Sequence, residues 1–416
     1  MQHVRKVLIV LLAIATCVAM VAAGYLIAST VSRDNRQAAL EPFYTPPSPL
    51  PTEPGTVIRT EPLGVDLPHG KALRILYVSQ RADGSPAASS GLLFLPDTPS
   101  PTGKNPIVAW AHGTVGMGDA CAPSRSNNPL QDTSNWLDTL LSYGVAVVAT
   151  DYVGLGTPGP EEYLVAGQEA RDVVNSVRAA RNISSDIGTR WVVAGHSQGG
   201  HSALWTGHLA EELAPELELL GVVAAAPAAE LLEITSAQWD TGIGWVIGPE
   251  VSISWPLAYP GLPLDGVITP VAQQNFQRLA DECILDAALE GIVRARIGQR
   301  FFNGNPADNP QWRAVMEDQT PPPLPPEMPV LLEQGTADNV VLPEPNAKLQ
   351  VEWCEAGSTI SSVWLGGVDH MKIAVIAGPV MVPWVMDRFA GQPAPRDCTV
   401  PPPVPTTVPE QPAIGD

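Results

Sequence analysis

Gly195-His196-Ser197-Gln198-Gly199-Gly200 is the stretch whose reading decides the fold of this chain. It follows the apolar run Arg190-Trp191-Val192-Val193-Ala194 and leads into His201-Ser202-Ala203-Leu204-Trp205-Thr206-Gly207-His208-Leu209-Ala210. By length and periodicity these are a buried strand, a very tight turn and a helix. Glycines two positions before and two after Ser197 give a G-x-S-x-G spacing, which lets strand and helix close around one exposed serine. In a chain with 36 glycines such a pattern can arise by chance, so its surroundings must carry the argument.

Outward from the turn, strand-like and helix-like segments alternate. Leu73–Ser79 reads as a first strand, Ala82–Pro86 as a turn and Ser90–Pro96 as a second strand. Pro106–Ala111 is apolar enough for a strand buried on both faces and ends in His112-Gly113-Thr114. A helix around Asn135–Tyr143 leads to the strand Gly144–Thr150. A turn-rich loop, Asp151–Gly159, and a helix over Glu161–Arg181 then precede the elbow strand, and Leu219–Ala225 is a further buried strand. This rhythm predicts an α/β fold with a mostly parallel central sheet wrapped by helices.

From about Ala228 to Pro329 the rhythm stops, with Trp239, Trp245, Trp255, Phe276, Phe301 and Phe302 scattered among helix-like pieces. It resumes with a strand at Val330–Gln334, a helix at Asn346–Glu355, a strand at Ile360–Leu365 and a helix at Met371–Phe389. About a hundred residues therefore read as a mainly helical insertion between two strands of one sheet. The expected organisation is a leader over 1–29, a proline-rich linker over 30–55 and a core in two parts (56–227 and 329–398). The insertion spans 228–328 and a disordered proline-rich tail spans 399–416.

Composition bounds the partners. The formal charge is −20, and beyond residue 29 there are 21 basic against 43 acidic residues. Such a surface argues against nucleic acid and against anionic membranes as electrostatic partners. Arg5-Lys6 precede an uncharged run, Val7–Ser29, that reads either as a signal peptide with Val21-Ala22-Ala23 at its cleavage site or as an uncleaved membrane anchor. The length of the run tilts the reading toward the anchor, and both readings export the protein. Cys17 lies in that run. The other cysteines, Cys121, Cys283, Cys354 and Cys398, are even in number and without C-x-x-C spacing, which favours two disulfides over zinc, with three pairings open.

A serine hydroxyl needs a base within hydrogen-bond reach to act as a nucleophile. Of seven histidines, His3 lies in the leader and His69 before the first strand. His196 sits in the turn itself, while His201 and His208 ride the helix after it. His112 ends the strand expected to supply an oxyanion loop. That leaves His370, in the loop Gly366-Gly367-Val368-Asp369-His370. Of the aspartates between Ser197 and His370, Asp369 is the histidine's neighbour and six others fall in the insertion; Asp338, just past a buried strand, is the acid chosen. The order Ser, Asp, His is that of an α/β-hydrolase. Donors for an oxyanion are expected from the backbone N–H of Gln198 and of Thr114, with Gly113 as the alternative to Thr114. Asp151 reads as a turn former and His201 as a packed residue behind the site. No Walker, H-E-x-x-H or dinucleotide motif occurs, so neither cofactor nor metal is expected.

With these residues in place the chain resembles the secretory lipase family of the α/β-hydrolase superfamily. The carrying stretches are Ala111-His112-Gly113-Thr114 with Cys121-Ala122-Pro123-Ser124, Asp151-Tyr152-Val153-Gly154-Leu155-Gly156, Gly195–Gly199 and Gln334-Gly335-Thr336-Ala337-Asp338. The match runs from about Phe43 to Cys398. The resemblance implies a large lid where the irregular stretch lies, and the pairings Cys121–Cys283 and Cys354–Cys398. The expected function is that of a serine carboxylic-ester hydrolase, lipase or esterase, acting as an exported monomer on a lipid or other ester through an acyl-enzyme. An acyltransferase of the same architecture and a non-catalytic hydrolase-like binding protein are the alternatives.

Overall fold

The computed structural model describes residues 30–101 and 103–399. The leader expected over 1–29 and the tail beyond residue 399 lie outside the described residues. Among those described, no helix is long and apolar enough to cross a membrane.

Two compact units divide the chain at Thr45. In the first, residues 30–44 form a helix, α1. This corrects the expectation of a linker over 30–55. The run Arg33-Asp34-Asn35-Arg36-Gln37-Ala38-Ala39-Leu40-Glu41 contains strong helix formers; Pro42 falls only in the last turn, and the proline cluster begins at Pro46.

The second unit is built on a nine-stranded sheet in the order β1-β2-β3-β5-β4-β6-β7-β8-β9. Its strands are β1 (Val57–Pro62), β2 (Gly70–Gln80), β3 (Pro86–Pro96), β4 (Asn105–Ala111), β5 (Ala146–Val153), β6 (Ile187–His196), β7 (Glu218–Ala225), β8 (Val330–Gly335) and β9 (Ile360–Leu365). The β1–β2, β2–β3 and β3–β5 pairs are antiparallel, and the rest of the sheet is parallel. Strand β1 was not anticipated. Its sequence, Val57-Ile58-Arg59-Thr60-Glu61-Pro62, has three consecutive polar residues and no fully buried position, as an edge strand allows. At the centre, every residue of β4 is buried, as its apolar run requires.

Crossover helices cover both faces. They are α2 (Leu137–Ser142), α3 (Ala166–Ile183), α4 (Gln198–Leu213), α11 (Pro343–Glu355), α12 (His370–Ile376) and α13 (Gly378–Phe389). One core cluster joins Val173, Val177, Ala203, Leu204, Leu349 and Trp353 of α3, α4 and α11 to Ile107, Trp191, Val193 and Leu332 of the sheet. The other joins Leu140, Leu141, Met381 and Val385 of α2 and α13 to Val108, Trp110, Val147 and Leu331. The single helix expected over Met371–Phe389 is two helices, because Gly378-Pro379 restarts the chain after Ile376.

Between β7 and β8 the chain leaves the sheet and forms α5 (Leu231–Gln238), α6 (Gly242–Ala258), α7 (Pro270–Gln273), α8 (Phe276–Ala280), α9 (Ile284–Arg296) and α10 (Pro310–Asp318). The insertion has its own aromatic core. Trp245 meets Phe301 edge-on at 5.4 Å between ring centres, and Trp255 packs on Trp312 at 5.5 Å. Disulfides Cys121–Cys283 and Cys354–Cys398 are both formed, the first joining the insertion to the loop after β4.

Candidate active site

Strand β6 runs into α4 with one residue between them. Ser197 holds φ 57° and ψ −117°, a backbone conformation costly for a residue with a Cβ, and Ser197 N–H donates to Ala225 O at 2.9 Å. The flanking glycines permit this. A Cβ on Gly199 would stand 1.9 Å from Ala111 O, and one on Gly195 would stand 2.0 Å from Gly199 O. No side chain fits at either position, so the strand–turn–helix geometry dictates the G-x-S-x-G spacing.

The turn presents Ser197 at the carboxyl ends of the parallel strands, where the loops after β4, β8 and β9 converge. Ser197 Oγ lies 2.9 Å from His370 Nε2, and His370 Nδ1 lies 2.7 Å from Asp338 Oδ2. All three side chains are buried. The Asp338 carboxylate is fixed independently of the histidine. Its Oδ1 accepts from Val340 N–H and Val341 N–H, both at 2.9 Å, and its Oδ2 accepts from Gln334 Nε2 at 3.3 Å. Asp369, adjacent to the histidine in sequence, instead caps α12 by accepting from Lys372 N–H at 3.1 Å.

His196 packs its ring on that of His370, 4.6 Å between centres, a contact that was not anticipated. Burial, and then the neighbouring imidazole, hold His196 well below the ordinary histidine range, so it stays neutral beside His370. The Gln198 N–H belongs to the first turn of α4, where no intrahelical acceptor exists. Gly113 and Thr114 line the same cavity as Ser197. A Cβ on Gly113 would stand 3.3 Å from Ser197 Cβ, and Thr114 Oγ1 pairs with Tyr163 OH at 2.7 Å.

Asp151 is no turn former. It lies within β5, fully buried, and accepts from Ser124 N–H at 3.0 Å and Ser90 Oγ at 2.6 Å, tying down the loop after β4. His201 is packed behind the site. Its Nε2 donates to Gln319 O at 2.8 Å, and its Nδ1 meets Glu169 Oε2 at 2.8 Å. Glu169 Oε1 accepts from Gln198 Nε2 at 3.0 Å. Around this pair lies a buried group of acids. Burial, reinforced by the charge of Glu169, pushes Glu161 up to about 8. Burial next to Glu161 pushes Glu250 of α6 well above the carboxylate range, and burial pushes Asp172 up to about 7. The sequence carried one signal of this: Gln168, Glu169, Asp172 and Asn175 fall on buried positions of α3.

Two cavities meet at Ser197. One runs into the insertion between Leu164, Ile247, Val251, Trp255, Trp312 and Met316. The other, of about 440 Å³, opens toward the loop after β4 and is lined by His370 and Thr114.

Comparison with known proteins places this geometry. A family model described as secretory lipase matches residues 129–397. Lipase 10 of Candida albicans is 25% identical over 404 residues, covering 86% of this chain and 82% of that protein. A Mycobacterium tuberculosis protein described as a probable inactive lipase is 24% identical over 376 residues, covering 85% and 82%. Among solved structures, Candida antarctica lipase A in its closed state superposes with a TM-score of 0.67 at 18% identity, covering 88% of this chain and 90% of that one. The rice cell wall degrading esterase LipA from Xanthomonas oryzae gives 0.66 at 19% identity, covering 81% and 98%. An α/β-hydrolase sheet and a family-model match over more than half the chain lead to one conclusion: this protein belongs to the secretory lipase family and is an ester hydrolase of the lipase and esterase class.

Proposed function

We propose that Ser197 is the nucleophile of a Ser197–His370–Asp338 triad that cleaves carboxylic esters through an acyl-enzyme. The observation that carries this reading is the continuous hydrogen-bonded line from Ser197 Oγ through both ring nitrogens of His370 to Asp338. In that mechanism His370 Nε2 takes the Ser197 proton as Oγ attacks the ester carbonyl. The backbone N–H groups of Gln198 and Thr114 hold the oxyanion. The alcohol leaves with the proton from His370, and water, activated by the same ring, releases the acid. Asp338 holds the imidazole in the required orientation and stabilises it when charged.

The apolar cavity inside the insertion suits the acyl half, which makes the segment 228–328 a lid over the acyl site. Membership of a secretory family supports export. Replacing Ser197 by Ala should abolish both ester turnover and labelling by a fluorophosphonate while the fold is retained; labelling at another residue would defeat the assignment. The relative described as a probable inactive lipase raises a second reading, a hydrolase-like binding protein. In that case the wild-type chain would take no label at all.

A further inference from the structure

We propose that the larger cavity receives the alcohol half of the ester and is built for an uncharged, hydroxyl-rich alcohol, a sugar or other polyol. This rests on the reading of Ser197 as the nucleophile, because Ser197 lines both cavities and an ester divides at the carbonyl it attacks. With the acyl chain in the apolar cavity, the alcohol must occupy the other.

The walls of that cavity differ in character. Most of the lining is apolar: Phe94 of β3 and Trp110 of β4, both buried, lie on the sheet side, and Val246, Ile247 and Ile284 close the cavity from the insertion. The segment after two short 3₁₀ turns, Asp119–Cys121 and Pro123–Arg125, contributes Ser126, Asn128, Gln131, Asp132 and Thr133, and Asp286 lines the cavity from α9. An alkyl alcohol would match the apolar part of the lining but would strip water from these polar side chains and return no hydrogen bond. A polyol presents both surfaces needed, C–H faces for the rings and hydroxyls that donate and accept toward the amides and carboxyls. Thr133 is buried and Asp132 beside it half-buried, and desolvation raises the Asp132 pKa despite the nearby His112. A hydroxyl group suits such a carboxyl in either protonation state.

Charge narrows the class further. Two carboxylates and no Lys or Arg are among the residues lining the cavity. A phosphate or carboxylate on the alcohol would be desolvated against like charge with no Lys or Arg to pair it. The geometry thus favours a neutral polyol ester over a plain alkyl ester and rejects an anionic one.

The test uses the full chain and three butyrate esters that share one acyl group: methyl 6-O-butyryl-glucoside, hexyl butyrate and butyryl-glycerol 3-phosphate. The expected order of kcat/KM is sugar ester first and phosphate ester last, with the sugar ester ahead of hexyl butyrate by about tenfold, the worth of one to two net hydrogen bonds. Asp132→Leu should reduce the sugar-to-hexyl ratio by about the same factor, acting mainly on KM. Asn128→Leu, at the exposed rim, should move the ratio the same way and serves if Asp132→Leu does not fold. A wild-type preference for hexyl butyrate, or a ratio that neither variant changes, overturns the proposal. In the Ser197→Ala protein, saturation-transfer NMR reads binding of the sugar ester without turnover. Binding that Asp132→Leu or Asn128→Leu abolishes, from a wild-type chain that hydrolyses none of the esters, would sink the role of Ser197 and leave the polyol site standing.

Discussion

Glu161 is the residue whose titration the fold makes most informative. It is buried between the elbow helix and the insertion, one of its oxygens (Oε2) has no hydrogen-bond partner, and the charge of Glu169 lies close by. Burial raises it from 4.5 to about 8. A carboxyl raised in this way keeps its proton in the native state while the unfolded chain releases it above pH 4.5. Native stability therefore falls as pH climbs from about 4.5 to about 8, and this contribution is flat beyond. At 1.36 kcal/mol per pH unit, Glu161 alone costs about 4 kcal/mol between pH 5 and pH 8. Glu161→Gln retains the shape and removes the titration. Asp172 and Glu250 titrate in both proteins; loss of the Glu161 charge eases the rise at Glu250, which adds to the variant's gain and does not oppose it. Urea unfolding at pH 5, 6, 7 and 8 gives the stability difference between variant and wild type at each pH. The variant should gain on the wild type steadily over that range, by about 4 kcal/mol in total, with any loss from the new amide appearing as a constant offset. A difference that stays constant from pH 5 to pH 8 refutes the reasoning.

Three further outcomes follow from the site. Asp338→Asn should fold normally yet lower kcat by roughly 10⁴-fold, since the amide misdirects the His370 tautomer. Asp369→Asn, a helix cap one residue from the same histidine, should leave kcat within a factor of two in the same ester assay. Gly199→Ala places a Cβ 1.9 Å from Ala111 O and should destabilise the chain by about 4 kcal/mol or more, seen as a collapse of soluble yield or of the urea midpoint.

Much of this was legible in the sequence because its signals are local. Apolar runs such as Pro106–Ala111 and Val330–Gln334 are buried strands, and the position of Ser197 follows from glycines two residues away. His370 and Asp338 were reached by elimination, and the structure brings both to Ser197. Interactions between distant residues left little or no local trace. Asp151 read as a turn former because its partners, Ser90 and Ser124, are 61 and 27 residues away. The contact of His196 with His370 spans the whole insertion. The acids behind the elbow come from three separate segments, so only the polar positions on the buried face of α3 hinted at them. The helix over residues 30–44 was hidden by Pro42 in its last turn and by the prolines that follow it.

The bond between Cys121 and Cys283 does not act alone. Beside it, Met117 N–H donates to Ala280 O at 2.7 Å and Ile284 N–H donates to Val115 O at 2.8 Å. A Cβ on Gly116 would stand only 2.1 Å from Glu282 O. The loop carrying Thr114 and the start of α9 are thus riveted along one edge. Any swing of the inserted helices must pivot there, like a hatch bolted on its hinge side. Opening at the far margin would then leave the loop beside Ser197 undisturbed.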